Sequence, residues 1–291
     1  TKYSLERDEN ANFSTATAIT LSSPTATSIA QATIVTSDTT YYYRVRASNS
    51  CGNSAWSAVA DKTIKAIVVP VAKTLLVPSQ YSTIQAAVNA SASGDTILVS
   101  SGTYKENITV DKSVKIKSVN SYNDTIIEPN IAGHIFYVTA DSAEISGFRI
   151  KNSSSKDGIH VYNANNVKIN YNFIDYVSTG IYLDGSNYAE INNNDVKYCY
   201  SNGIHLKNSG NNKVYSNDFL NNTNIGVIID AASNNTIENN NIKNNGSILS
   251  EGMNLSNGAI GNTIRGNIFK DNTIYSIVSF LESGTNYVYN N

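Results

Sequence analysis

Gly158-Ile159-His160-Val161, Gly180-Ile181-Tyr182-Leu183, Gly203-Ile204-His205-Leu206, Gly226-Val227-Ile228-Ile229 and Gly252-Met253-Asn254-Leu255 are one phrase written repeatedly. A second phrase follows each copy: Ile169 with Asn172, Ile191 with Asn194, Val214 with Asn217, Ile237 with Asn240, and Ile264 with Asn267. The pair returns about every 22 to 24 residues, and so short a period means one supersecondary unit stacked on copies of itself. The two apolar residues of each first phrase lie two apart, so both point inward on a strand and the residue between them points out. Stacking at about 4.8 Å per coil turns equivalent residues into ladders. One inward ladder is expected to run Phe136, Ile159, Ile181, Ile204, Val227, Met253 and Val278, and a second Ile145, Ile169, Ile191, Val214, Ile237, Ile264 and Val288. Asn172, Asn194, Asn217, Asn240 and Asn267 fall at a bend. Asn tolerates left-handed backbone geometry and its amide can bond the copies above and below, so this ladder is read as structural.

The repeat fills only the later part of a 291-residue chain, so two units are expected. Charged residues make up 15%, the net charge is -2, and no basic run occurs, which excludes the electrostatic footprint of a nucleic-acid binder. The longest apolar stretch, Ala66 to Val71, is far too short to span a bilayer, and any export signal is expected outside this sequence. Cys51 and Cys199 fall in different units, so no disulfide framework is expected. A composition rich in Asn, Ser and Thr with little charge is common in secreted and surface proteins, and an extracellular or cell-surface location is expected on that association. Asn-x-Ser/Thr matches are no more frequent than this composition yields by chance, so they carry no argument for glycosylation.

Residues 1–66 form the first unit. Tyr3-Ser4-Leu5-Glu6-Arg7 and Tyr41-Tyr42-Tyr43-Arg44-Val45-Arg46-Ala47 alternate like half-buried strands, with Ser/Thr-rich turns and Ile34-Val35 between them. The run Thr40 to Asn49, followed by Gly52-Asn53-Ser54-Ala55-Trp56-Ser57, resembles a fibronectin type III domain from its third strand onward. That resemblance implies an incomplete sandwich with a spacer or adhesive role, since the family's first two strands and the Trp of its second have no counterpart before Tyr3. Three explanations stand open: a fragment of a longer chain, completion by strands of a neighbouring subunit, or a smaller topology.

After a linker at 67–74, the second unit runs from 75 to 291. Ser82-Thr83-Ile84-Gln85 reads as a capping box ahead of a short amphipathic helix over Ile84 to Ala92. Thr83-Ile84-Gln85-Ala86-Ala87, then Gly94-Asp95-Thr96-Ile97, then Gly102-Thr103-Tyr104 and Ile108 resemble the opening of right-handed parallel β-helix proteins, the pectate-lyase-like group that includes NosD-type repeats. The resemblance runs to the last residue and implies an all-β solenoid whose N-terminal helix plugs the open end of the coil. Asn291 stops the last phrase before its next apolar residue, so that end is expected to continue or to dock.

The outward position of the first phrase reads Tyr137, His160, Tyr182, His205, Ile228, Asn254 and Ser279. Four consecutive rings would form a stripe roughly 15 Å long, either a platform for sugar rings, as the resemblance implies, or a self-stacked ladder that stabilises the coil. His160 and His205 stand two coils apart, about 10 Å, too far to share one ion, and no metal or cofactor is assigned. The next outward position reads Tyr162, Asp184, Lys207, Asp230 and Ser256. Asp184 and Asp230 would lie about 9.6 Å apart, within reach of an inverting glycosidase pair, but Lys207 between them points to ordinary cross-strand charge pairing. Asp157 and Glu251, each just before a Gly, read as turn residues. Compared with the enzymes it resembles, the chain lacks the Asn-Thr-Asp, Asp-Asp and Gly-His-Gly set of polygalacturonases. It also lacks the clustered Asp ligands with a nearby Arg of calcium-dependent pectate lyases, the Asp-Pro-His-Glu of alginate epimerases, and the glycine-rich nonapeptide calcium repeat.

Two functions follow as expectations. The first is a non-catalytic extracellular structural or adhesive protein, a surface-layer, sheath or filament subunit that associates with itself or with neighbouring domains of a longer chain. The second is a polysaccharide-binding or polysaccharide-cleaving module, a lyase or glycoside hydrolase if catalytic. It would use Tyr137, His160, Tyr182 and His205 as the stripe and Asp184 and Asp230 as acids.

Overall fold

The computed structural model describes residues 2–19, 35, 37–65, 71–246, 251–279 and 285–291. The chain divides into two compact units, Thr1–Val71 and Ala72–Asn291. Ile34 and residues 67–70 of the 67–74 linker lie outside the described residues. Among the described residues no helix is long and apolar enough to cross a membrane.

In the first unit Lys2–Asp8 pairs antiparallel with Thr17–Ile19 on one side and Thr39–Asn49 on the other, and Thr39–Asn49 also pairs with Gly52–Asn53 and Ala60–Ile64. Both alternating runs are thus strands of one five-stranded sheet; among the described residues there is no second sheet to make a sandwich. Glu6 stands opposite Arg44, whose guanidinium binds its carboxylate at 2.8 Å and lies over the Phe13 and Trp56 rings at 4.1 and 4.5 Å. The Arg46 guanidinium also lies over the Trp56 ring, at 4.4 Å, so this tryptophan stacks on two cations.

The second unit is a parallel β-helix of three sheets. The first has ten strands, from Thr74–Val77 to Tyr287–Tyr289; the second and third have eight each, from Gly102–Lys105 to Ile268–Lys270 and from Ile108–Val110 to Ile277–Ser279. Each full coil contributes one strand to every sheet, while Thr74–Val77 and Tyr287–Tyr289 extend the first sheet alone, so strands adjacent in a sheet are about one repeat apart in sequence. The inward ladders are buried, Ile145 through Ile264 in the first sheet and Phe136 through Met253 in the third. The last rung differs from the sequence expectation. Met253 pairs with Ile277, and Val278 takes the outward place opposite Asn254 that was expected for Ser279. This coil has Ser276 where earlier coils have Gly, so nothing in its sequence pins the register, and the hydrogen bond from Met253 N to Ser276 O sets it.

Those glycines are required by space. A Cβ on Gly158, Gly203 or Gly226 would sit 2.8, 2.5 and 2.8 Å from the carbonyl oxygen of the glycine one coil on. The corner asparagines are structural in more detail than the spacing alone shows. Asn217 N–H donates to Asn240 Oδ1 at 2.9 Å, while its amide nitrogen donates to Ile191 O, Tyr215 O and Asn240 Oδ1 at 2.9 to 3.0 Å. The same pattern runs from Asn172 to Asn291. The left-handed backbone falls one residue earlier than expected, at Tyr171, Asn193, Ser216, Asn239 and Gly266, because the asparagine itself turns inward to reach its neighbours. Two further amide ladders occupy other corners, Asn212–Asn235–Asn262–Asn286 and Asn222–Asn245–Asn272.

The helix spans Ile84–Ala90 and is capped by Thr83, whose side chain accepts from Ala86 N; the Ser82–Gln85 box does not form. Gln85 instead donates to Asn89 and Thr109. A carboxylate from the coil replaces it: Glu106 accepts from Ile84 N and Gln85 N, both at 2.9 Å. At the other end Lys112 Nζ donates to the carbonyls of Val88, Asn89 and Ser91. An anion at the N-terminus and a cation at the C-terminus match the helix dipole and lock the plug onto the first coil.

Candidate functional site

The outer face of the third sheet carries the ring column. Strand pairing sets Tyr137, His160, Tyr182 and His205 side by side, with Tyr162, Asp184, Lys207 and Asp230 in the next outward column. Successive ring centroids are 5.6, 4.8 and 4.7 Å apart, but the rings meet at 44°, 67° and 56°. Only His160 and Tyr182 meet edge to face and the other two pairs are tilted, so the column does not offer four parallel faces. His160 and His205 are largely hidden, with side chains 12% and 20% exposed, so the accessible rings are those of Tyr137, Tyr182 and, at 43%, Tyr162.

Below this column lies a contact that the sequence reading missed. His134 sits in the turn before Phe136–Val138, and its ring is 4.3 Å from that of His160 and 5.8 Å from that of Tyr137. Between the two histidines stands Asp157, whose Oδ2 is 2.8 Å from His160 Nδ1 and 3.2 Å from His134 Nδ1. Asp157 is therefore more than a turn residue. A signal for this existed: His134-Ile135-Phe136-Tyr137 aligns with Asp157-Gly158-Ile159-His160, and the bond from Ile135 N to Asp157 O shows that the two stretches are one coil apart. Position 134 lies outside the Gly-led phrase, so the period alone did not mark it.

Burial would raise the Asp157 pKa, but hydrogen bonds from His134 and His160 and their positive charge outweigh it and hold the carboxyl at about 2. An ionised carboxylate can only accept, so Nδ1 of His160 carries the proton that faces it, and in the neutral form of that ring Nε2 presents a lone pair. That is the orientation a general base needs. His205 is different. Burial pushes its pKa down, with the Asp230 charge opposing, and its Nε2 stands 3.6 Å from Asp230 Oδ2 with no hydrogen-bond partner. Tyr182 is raised above its ordinary value, chiefly by burial.

The two aspartates of the next column do not share a pocket. Lys207 separates them, its Nζ 3.8 Å from Asp184 Oδ2, and Asp230 accepts from Asn257 Nδ2 and Ser256 Oγ. Cys51 is exposed and Cys199 is buried; both are free thiols, and burial raises that of Cys199 well above its ordinary range.

A family model described as the right handed beta helix region matches residues 133–291. No curated protein matches the chain. Among solved structures it is similar to pectate lyase Pel9A, with 17% identity and a TM-score of 0.57 over 68% of this chain and 64% of that one. It is also similar to the catalytic unit of a thermostable GH87 α-1,3-glucanase from Streptomyces thermodiastaticus strain HF3-3, with 15% identity and a TM-score of 0.56 over 95% and 57%. A third is DFA-IIIase from Arthrobacter chlorophenolicus A6 in complex with GF2, with 15% identity and a TM-score of 0.54 over 68% and 54%. At such identities the likeness shows the fold alone. The chain spans 54% to 64% of the length of these structures.

Proposed function

The chain belongs to the right-handed β-helix family, and from that premise we propose that it is a polysaccharide-binding module whose ligand lies along the outer face of the third sheet. The observation that carries this reading is the unbroken column of Tyr137, His160, Tyr182 and His205, with Tyr162 exposed beside it. Tyrosines packed against the histidines between them are restrained, so a sugar ring docking on them freezes little side-chain freedom, and their hydroxyls supply hydrogen bonds at the rim. Two of the structural neighbours, a pectate lyase and an α-1,3-glucanase, bear names of polysaccharide-degrading enzymes, which supports the ligand class.

Cleavage is the second reading, favoured by the Asp157–His160 pair. A buried carboxylate fixing Nδ1 leaves Nε2 as a base able to take a proton from a bound sugar. Asp184 and Asp230 serve this reading less well, since one is ion-paired and the other accepts from neighbouring side chains. We propose an extracellular location on the same grounds. For the first unit we propose the spacer role that its fibronectin type III resemblance implies, supported by a sheet built on Tyr41-Tyr42-Tyr43.

The competing proposal is a purely structural or adhesive coil in a surface layer, sheath or filament. A glycan array read with the wild type and Tyr182→Ala separates the two. Retention of at least one polysaccharide, weakened about tenfold by the substitution, supports the binding module, an effect of about 1.4 kcal/mol. No binding to any glycan leaves only the structural proposal.

A further inference from the structure

We propose that His134, Asp157 and His160 form a binding site for one divalent transition-metal ion of the zinc class. One ligand atom from each lies within 4.8 Å of the others. Bonds of about 2.0–2.2 Å at tetrahedral angles hold neighbouring donor atoms about 3.3 Å apart around zinc. The Asp157 oxygen already stands 3.2 Å from His134 Nδ1 and 2.8 Å from His160 Nδ1, so two of the three sides are near that length with no rearrangement of the coil.

The fold holds these groups in place. Asp157 and His160 are three residues apart on one coil, and His134 comes from the preceding coil. The pairing of Phe136 with Ile159 and the bond from Ile135 N to Asp157 O fix the two stretches against each other. All three side chains are largely shielded but none is fully buried, so an ion there is protected from bulk water without being sealed off. Three protein ligands with a vacant fourth position is the composition of open zinc sites rather than closed structural ones.

The donor set selects the ion. Two imidazoles and one carboxylate suit zinc, cobalt(II) or nickel, whereas calcium and magnesium require oxygen ligands. His205, two coils on and turned to Asp230, takes no part. A second observation concerns His134 Nδ1, which faces the Asp157 N–H at 3.3 Å and the Asp157 carboxylate at 3.2 Å. One nitrogen cannot accept from the first and donate to the second at once. When it accepts, its lone pair and that of the carboxylate face each other unscreened, and a cation between them removes that repulsion at the cost of one long hydrogen bond. Binding through Nδ1 requires the single proton of the neutral His160 ring to sit on Nε2 instead, so ion occupancy and the base role of His160 exclude one another.

This site does not rest on the glycan reading, and its test contains no glycan. The full chain, stripped with chelator, is titrated with cobalt(II) and zinc(II) chloride. The expected result is one ion per chain and the visible bands of four-coordinate cobalt, bleached by zinc and untouched by excess calcium. His134→Gln and Asp157→Asn should each weaken zinc binding about 100-fold, and His205→Gln should leave it unchanged. Because Asp157→Asn disturbs a buried pair, His134→Gln is the deciding variant, with circular dichroism confirming that it keeps the β signature. Failure to saturate with zinc, undiminished binding by His134→Gln, or equal weakening by His205→Gln overturns the site.

Discussion

Two columns of this coil stack side chains from successive repeats, and they differ in one physical respect. Along the corner from Asn172 to Asn291, donors and acceptors are matched by the coils above and below and by the local backbone. Along the third-sheet face from Tyr137 to His205 the matching is looser: Asp157 is shared by two histidines, and the buried His205 Nε2 stands 3.6 Å from Asp230 Oδ2, beyond hydrogen-bond length. A ladder closed on itself stabilises the coil and is finished. A ladder in which two histidines share one carboxylate has capacity for a ligand at that carboxylate. Repetition alone does not distinguish them, whereas hydrogen-bond accounting does.

The strongest way to break this contrast is at the closed column. Asn217→Ala removes an amide that satisfies two adjacent coils and leaves buried partners orphaned, so chemical denaturation should show a loss of about 2–4 kcal/mol with glycan retention unchanged. A loss below about 1 kcal/mol would mean the ladder is not closed.

The next test concerns pH and is made on chelator-treated protein. The folded Asp157 pKa of about 2 lies below its ordinary 3.8, so its contribution is complete above about pH 5 and disappears as pH falls through 2. Roughly 2 kcal/mol of stability should vanish over that window and be missing at every pH in Asp157→Asn. Parallel pH profiles for the two proteins would contradict the shared carboxylate.

On the open column, Tyr182→Ala should reduce glycan retention about tenfold while changing stability by less than about 1 kcal/mol. A large stability loss with no change in retention would make the ring column a second closed ladder. The smallest effect is expected on the first sheet, whose outer face alternates Lys115, Glu144, Lys168, Glu190 and Lys213. Lys168→Ala breaks an exposed 3.3 Å pair with Glu190 and should cost under about 0.5 kcal/mol, less still in salt.

Much of this was legible in residue order. The Gly-led phrase led to the inward ladders because a strand alternates with period two, and Ile-x-x-Asn led to the corner because the same bend recurs in each coil. The ring column was legible too, but the angles between its rings were not. Spacing places side chains in a column without setting their rotamers, so the burial of His160 and His205 behind tyrosines appears only in three dimensions. The last coil went wrong where its Gly is replaced by Ser276 and the marker of register is lost.

By itself the sequence determined the period, hence a stacked β coil, its inward residues and the face that carries the rings, because these depend only on spacing along one strand. Only the tertiary structure decided which groups from different coils meet. His134 joins Asp157 and His160, and Glu106 and Lys112 clamp the ends of the helix. Such contacts join residues about one repeat apart through turns that lie outside the repeated phrase. Their geometry is set by coil stacking, which the order of residues implies but does not measure.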